Sequence, residues 1–280
     1  MYMKERHFKD LSELTLMDDY MFGVVMQNPE IAKALIEQIL GVRIQRIQYL
    51  EPQRTMKERY GGKGIRLDLY VEDESGTVYN VEIQTSNRRN LPKRMRYYQS
   101  IIDLHILSPG ADYKTLRRSY VIFICNYDPF GLGRCVYTFE NRCVEALDVP
   151  FGDETIKVVV NTSGIQEDLS DDLKDVLRYL DQGTVEGRAS RKLEDAVNAV
   201  RNNEERRREY MVMMAREMEI REEGREEGRA EGRMEGREQG ATLLGTLITR
   251  LMSQGRIQDV ERVASDAVFR KQLYSEFGLE

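Results

Sequence analysis

Residues 65–85 read IRLDLYVEDESGTVYNVEIQT, and how this stretch folds decides how the rest of the chain is placed. Ile65, Leu67, Leu69 and Val71 alternate with Arg66, Asp68, Tyr70 and Glu72, the period of a half-buried strand. A second run sets Thr77, Tyr79, Val81 and Ile83 against Val78, Asn80, Glu82 and Gln84. Asp73-Glu74-Ser75-Gly76 lies between them, with glycine where a hairpin needs a left-handed residue. A loop over residues 74–76 pairs Asp73 with Thr77 and, counting back, Asp68 with Glu82 and Arg66 with Gln84. A loop one residue shorter sets Asp68 against Val81 on the apolar side, so the polar pattern selects the longer one. Two carboxylates directly across an antiparallel pair have Cβ atoms about 5 Å apart and destabilise it. Either the hairpin carries a solvated acidic face, or the pair has a partner of opposite charge.

Oxygen ligands at that separation suit a hard dication, Mg²⁺ or Mn²⁺. Residues 92–107 read as a helix opened by Pro92, with Lys93, Arg94 and Arg96 in its first turns and Arg94 and Tyr98 on one face. Asp68, thirteen residues, Glu82-Ile83-Gln84 and then a basic helix resembles the PD-(D/E)XK nuclease superfamily, in the variant with glutamine in place of the lysine. In Met17-Asp18-Asp19-Tyr20-Met21-Phe22, Asp19 and Phe22 match the Asp-x-x-Phe of Rpn-type recombination-promoting nucleases, also called putative transposases. Arg94-x-x-x-Tyr98 and Gly110-x-x-Tyr113-x-x-Leu116 are similar to further motifs of that family, so the resemblance spans about residues 15–180.

This resemblance implies an α/β fold, a mixed sheet flanked by helices, and a metal-dependent DNA endonuclease. Asp68 and Glu82 are its implied metal ligands, joined by the Ile83 carbonyl, with Asp19 serving a second metal. Gln84 is implied to position the attacking water or the phosphate. Glutamine lacks the positive charge of a lysine, which Lys93 or Arg94 would then supply. Lys93, Arg94 and Arg96 are the candidate phosphate-binding groups. The plainer readings are a helix cap for Asp19 and a solvated basic turn for the three cations.

The remaining composition excludes several chemistries. A net charge of −6 argues against a generally basic nucleic-acid coat, though not against a local basic surface. Cys125, Cys135 and Cys143 lack metal-finger spacing and read as small apolar residues. Only His7 and His105 occur, which disfavours triad or zinc-protease chemistry. The Gly61-Gly62-Lys63-Gly64 cluster leads into a strand, whereas a phosphate-cradling loop leads into a helix, so it reads as a flexible loop. The first ten residues lack an apolar segment, and the apolar run 120–125 is too short to span a bilayer, so a cytoplasmic protein without a membrane partner is expected.

Outward from the hairpin, residues 11–40 read as helical, with Asn28 capping, Pro29 opening and Gly41 closing the last segment. Strands are expected at 42–50, 119–126, 135–139 and 155–160, and an amphipathic helix at 169–180. The nuclease-like domain is drawn at 1–183. Residues 184–240 form a charged linker in which glycine recurs every fourth residue from Gly224 to Gly240. Each glycine costs about 1 kcal/mol against alanine in a helix, so this stretch is a poor isolated helix. Residues 241–280 recover apolar periodicity at Leu243, Leu244, Leu247, Ile248 and Leu251, and read as a small oligomerisation segment of a homo-oligomer. A non-catalytic nuclease-fold protein that assembles through this tail is the competing reading.

Overall fold

The computed structural model describes residues 9–56, 65–165 and 168–279; His7 and the Gly61–Gly64 cluster lie outside them. The hairpin turn is the three-residue loop. Gly76 has φ +81°, its N–H donates to Asp73 O at 3.0 Å, and the Asp73 N–H donates to Thr77 O at 3.1 Å. The Asp73 carboxylate locks the turn: Oδ1 accepts the backbone N–H groups of Ser75 (2.9 Å) and Thr77 (3.0 Å), and Oδ2 accepts the Tyr79 hydroxyl at 2.8 Å. Strand β2 (Ile65–Asp73) and strand β3 (Val78–Gln84) then pair through Leu69–Val81, Tyr70–Asn80, Val71–Tyr79 and Glu72–Val78, the register that puts Asp68 across from Glu82.

This hairpin is interior rather than an edge. Strand β1 (Ile47–Met56) pairs antiparallel with β2, and β4 (Ser119–Cys125) pairs parallel with β3 on its far side. β5 (Val136–Phe139) and β6 (Thr155–Asn161) complete a six-stranded mixed sheet in the order β1-β2-β3-β4-β6-β5. β1 starts later than the strand expected at 42–50, because residues 42–46 are irregular, with the Ile44 N–H held by Glu37 Oε1 at 2.7 Å. Six of the seven residues of β3 are consequently buried, where the alternating pattern had indicated one wet face. The face bearing Asn80 and Glu82 continues through Val121 and Phe123 of β4 to Val159 of β6. Helix α3 (Leu91–Ile106) covers that face with Leu91, Met95, Tyr98, Ile101 and Ile102.

Of residues 11–40, expected to be helical throughout, Leu11–Glu13 form a short 3-10 turn and residues 14–18 are irregular; the rest divides at Met26–Asn28 into α1 (Asp19–Val25) and α2 (Pro29–Leu40). α2 begins where Asn28 Oδ1 accepts the Glu30 N–H at 3.0 Å and ends at Gly41. α4 (Asp171–Gln182) and α5 (Arg188–Arg201) pack together through one carboxylate. Asp175 Oδ1 accepts the Gly187 N–H and Oδ2 the Ser190 N–H, each at 2.8 Å. A Cβ at Gly187 would sit 2.4 Å from Asp175 Oδ2, so only glycine admits this approach.

The first compact unit runs to Tyr210, beyond the boundary drawn at residue 183. α5 explains the difference. It buries Leu193 and Val197, contacts α1, and sends the Arg201 guanidinium to Leu14 O at 2.8 Å. Tyr210 closes the unit, donating to Lys9 O at 3.0 Å with its ring 4.9 Å from that of Tyr20.

The second unit, Met211–Glu280, contains most of helix α6 (Glu204–Ser253), then α7 (Ile257–Ser265) and α8 (Ala267–Glu276). The glycine-repeat stretch is helical throughout, although its glycines disfavour the helix. Glutamate and arginine are good helix formers and form pairs such as Arg221–Glu217 at 2.5 Å. Leu247, Leu251, Val263 and Leu273 form this unit's core. Gly255 (φ +72°) ends α6, and Asp266 caps α8 through the Val268 and Phe269 N–H groups. Among the described residues no helix is long and apolar enough to cross a membrane.

Candidate active site

The β2–β3 ladder ends at Leu69–Val81, and beyond it side chains tie the strands together. Glu82 Oε1 accepts the Asp68 N–H at 3.0 Å, while Asp68 Oδ2 accepts the Ile83 N–H at 3.0 Å. Glu82 is 0% exposed. The Asn80 amide, turned so that its nitrogen faces acceptors, also donates to Glu82 Oε1 at 3.0 Å and to Leu69 O at 3.2 Å. The remaining oxygen, Oε2, meets Arg94 Nη2 at 3.4 Å. Burial, and then the neighbouring Asp68 charge, raise the Glu82 pKa well above the usual carboxylate value. Burial also lifts Asp68, to about 6, against the opposing pull of the Ile83 N–H and with a further push from Asp19.

Arg94 projects from the first turn of α3 onto this pair. Its Nε and Nη2 donate to Tyr98 Oη at 3.0 and 2.6 Å, and Nη1 donates to Gln84 Oε1. Its Cζ lies 5.0 Å from the Tyr98 ring centroid and 5.1 Å from that of Phe123. The Gln84 amide nitrogen donates to Ser86 O at 2.6 Å, so the glutamine bridges the guanidinium and the loop after β3. Of the two cations expected to stand in for the missing lysine charge, Arg94 is the one bonded to the Gln84–Glu82 pair.

Asp68 opens onto a cleft of about 630 Å³ whose lining includes Asp19, Gln84, Lys93 and Arg94. Asp19, the first residue of α1, therefore joins the hairpin site from a distant part of the chain. Arg96 is exposed and is not among the lining residues, since two positions along a helix turn it about 200° from Arg94. Arg66, Arg88, Asn90 and Tyr97 also line the cleft and were not singled out from the sequence. Arg66 carried a signal, lying two residues before Asp68 on the same strand face; Arg88 sits in an irregular loop without one. The cysteines are unpaired, with Cys125 and Cys135 buried, and His105 is exposed with its ring nitrogen 2.9 Å from Ile101 O.

The donor set suits a dication in part. Every candidate ligand is an oxygen, and Asp68 and Glu82 hold adjacent strands within hydrogen-bond reach of each other. Among the described residues no group of three or more carboxylate, imidazole or thiolate side chains could hold a metal ion, so Asp19 does not close a cage with the other two. The arrangement fits an ion held by two carboxylates and completed by water and phosphate oxygens, which is how Mg²⁺ is usually bound.

Residues 17–133 match the family model described as PD-(D/E)XK nuclease family transposase. The matched segment contains Asp19, the whole hairpin, α3 and β4. The mixed sheet with flanking helices and a long C-terminal helix is consistent with the PD-(D/E)XK fold. No curated protein matches the chain, and no solved structure does.

Proposed function

We propose that this protein is an Mg²⁺- or Mn²⁺-dependent endonuclease of the Rpn type that hydrolyses phosphodiester bonds in DNA. The observation that carries this reading is the Asp68–Glu82 pair, each carboxylate accepting a backbone N–H of the opposite strand, with Asp68 on the wall of a cleft lined by cations. Asp68 and Glu82 would hold the ion, with the Ile83 carbonyl, and Asp19 would serve a second ion through water. Held there, the ion would supply Lewis-acid chemistry, through which the scissile phosphate would be polarised, the pKa of a bound water lowered and charge on the leaving oxygen offset. Gln84 would orient the attacking water or a phosphate oxygen through its amide, held by Ser86 and Arg94. Arg94 and Lys93 would supply positive charge to the phosphate, the part a lysine plays where the motif ends in Lys. The protein would work in the cytoplasm, and residues 241–280 would carry self-association.

The test is cleavage of supercoiled plasmid by the purified chain, with and without Mg²⁺, beside Asp68→Ala. Mg²⁺-dependent nicking that disappears in Asp68→Ala is the expected result. No nicking by a correctly folded parent chain favours a non-catalytic protein that assembles through its C-terminal helices.

A further inference from the structure

Glu82 is fully enclosed and does not line the cleft, whereas Asp68 and Arg94 do. The cleft-lining group bonded to the outer oxygen of Glu82 is the Arg94 guanidinium. That bond is the longest the guanidinium makes, at 3.4 Å, against 2.6 and 3.0 Å to Tyr98 Oη. Tyr98 and Gln84 therefore anchor the guanidinium, and Glu82 is its loosest partner. A buried carboxylate left without a counter-charge is costly, so some cation must attend Glu82 whenever it is ionised. A guanidinium and a dication cannot both occupy Oε2 without strong repulsion in a desolvated site.

We propose that Arg94 is the resident counter-ion of Glu82, which a dication must displace to be held by both carboxylates, so that Arg94 sets the metal affinity of the site. The proposal rests on the nuclease reading of Asp68 and Glu82. On displacement the guanidinium keeps its bonds to Tyr98 and Gln84 and turns the one freed Nη2 N–H to the cleft, where a substrate phosphate accepts it. Metal entry and phosphate binding are then coupled through one side chain, and each makes the other more favourable.

Calorimetric titration of Mg²⁺ into the full chain, together with melting in EDTA and in Mg²⁺, tests this. Arg94→Met should bind Mg²⁺ about tenfold more tightly than the parent, a difference of about 1.4 kcal/mol. It should also melt lower than the parent in EDTA, because Glu82 has lost its cation, and recover more when Mg²⁺ is added. Arg94→Lys keeps the charge and should bind near the parent value. If Arg94→Met fails to fold, Arg94→Gln keeps amide donors for Tyr98 and Gln84, and the same tightening is expected of it. Unchanged or weaker Mg²⁺ binding in the uncharged variants, with the parent binding normally, overturns the counter-ion proposal alone. A parent chain that binds no Mg²⁺, and that Asp68→Asn does not change, overturns the nuclease reading beneath it.

Discussion

Glu82 accepts the backbone N–H of Asp68, the residue its register places directly across the hairpin, at 3.0 Å. Asp68 in turn accepts the Ile83 N–H, so each carboxylate is satisfied by the backbone of the opposite strand. These bonds lower the repulsion expected of two facing carboxylates but leave the cost of burial, which raises both pKa values.

The metal-free protein should therefore become relatively more stable as pH falls. Asp68 moves from 3.8 unfolded to about 6 folded, so the folded chain binds the proton more tightly. Its stabilising contribution is complete below about pH 4 and is lost as pH rises through about 6, a swing on the order of 3 kcal/mol at most. Asp68→Asn keeps an oxygen for the Ile83 N–H and should melt above the parent in EDTA at pH 7.5, with the gap closing near pH 4. Glu82→Gln should not raise the melting temperature in the same way, because its new NH₂ must face Asp68 N–H, Asn80 or Arg94, all donors. Both variants should lose the stabilisation by Mg²⁺. Melting curves across pH, in EDTA and in Mg²⁺, check each part.

Gln84→Lys restores the lysine of the wider motif but sets an ammonium against the Arg94 guanidinium, which now bonds Gln84 Oε1. The single variant should lose stability, and Gln84→Lys with Arg94→Met should recover both stability and Mg²⁺-dependent nicking. A single variant as stable as the parent would show that Arg94 is not held there by Gln84.

Cations on the cleft should matter for DNA more than a neighbour turned away from it. Arg88→Ala with Lys93→Ala should weaken binding of a DNA duplex and reduce the magnitude of the log–log salt slope by about 0.9 for each phosphate no longer neutralised. Arg96→Ala should leave the slope close to the parent value. Fluorescence anisotropy at several salt concentrations distinguishes them, and equal effects at all three positions would place the phosphates outside the cleft.

Truncation should be tolerated after Tyr210 and not after Gly183. The longer piece keeps α5, with Leu193 and Val197 in the core and Arg201 on Leu14 O. The shorter one exposes that core and leaves Asp175 without the N–H groups of Gly187 and Ser190. Light scattering should find the 1–210 piece folded and monomeric, the intact chain oligomeric and the 1–183 piece aggregated. The same mass per chain for the intact and 1–210 proteins would remove the tail from assembly.

Local chemistry in the sequence specified the hairpin register: one glycine at positive φ and a count of polar positions set Asp68 across from Glu82. Asn28, Pro29 and Gly41 marked α2 as directly, because caps act within a few residues. What strand periodicity cannot report is the second neighbour of a strand. β3 alternates in sequence like a half-exposed strand, yet β4 and α3 bury Asn80 and Glu82 completely. The choice between Lys93 and Arg94 also depended on helix phase relative to the sheet, a tertiary quantity. In sequence α5 looks like linker because its charged face dominates its composition, while the few residues that dock it, Ser190, Leu193 and Val197, are a minority.

The Asp73 carboxylate gathers its partners from within six residues of itself. Closing so short a loop costs little chain entropy, and hairpins of this kind form in about 1–10 μs. The pairing of Asp68 with Glu82 is thus encoded in low-contact-order structure, whereas the parallel β3–β4 ladder must await a helical crossover. During synthesis the acidic pair, its asparagine and its arginine all leave the ribosome before β4 does, so the chemistry of the cleft is specified by a nascent chain that does not yet have its full sheet.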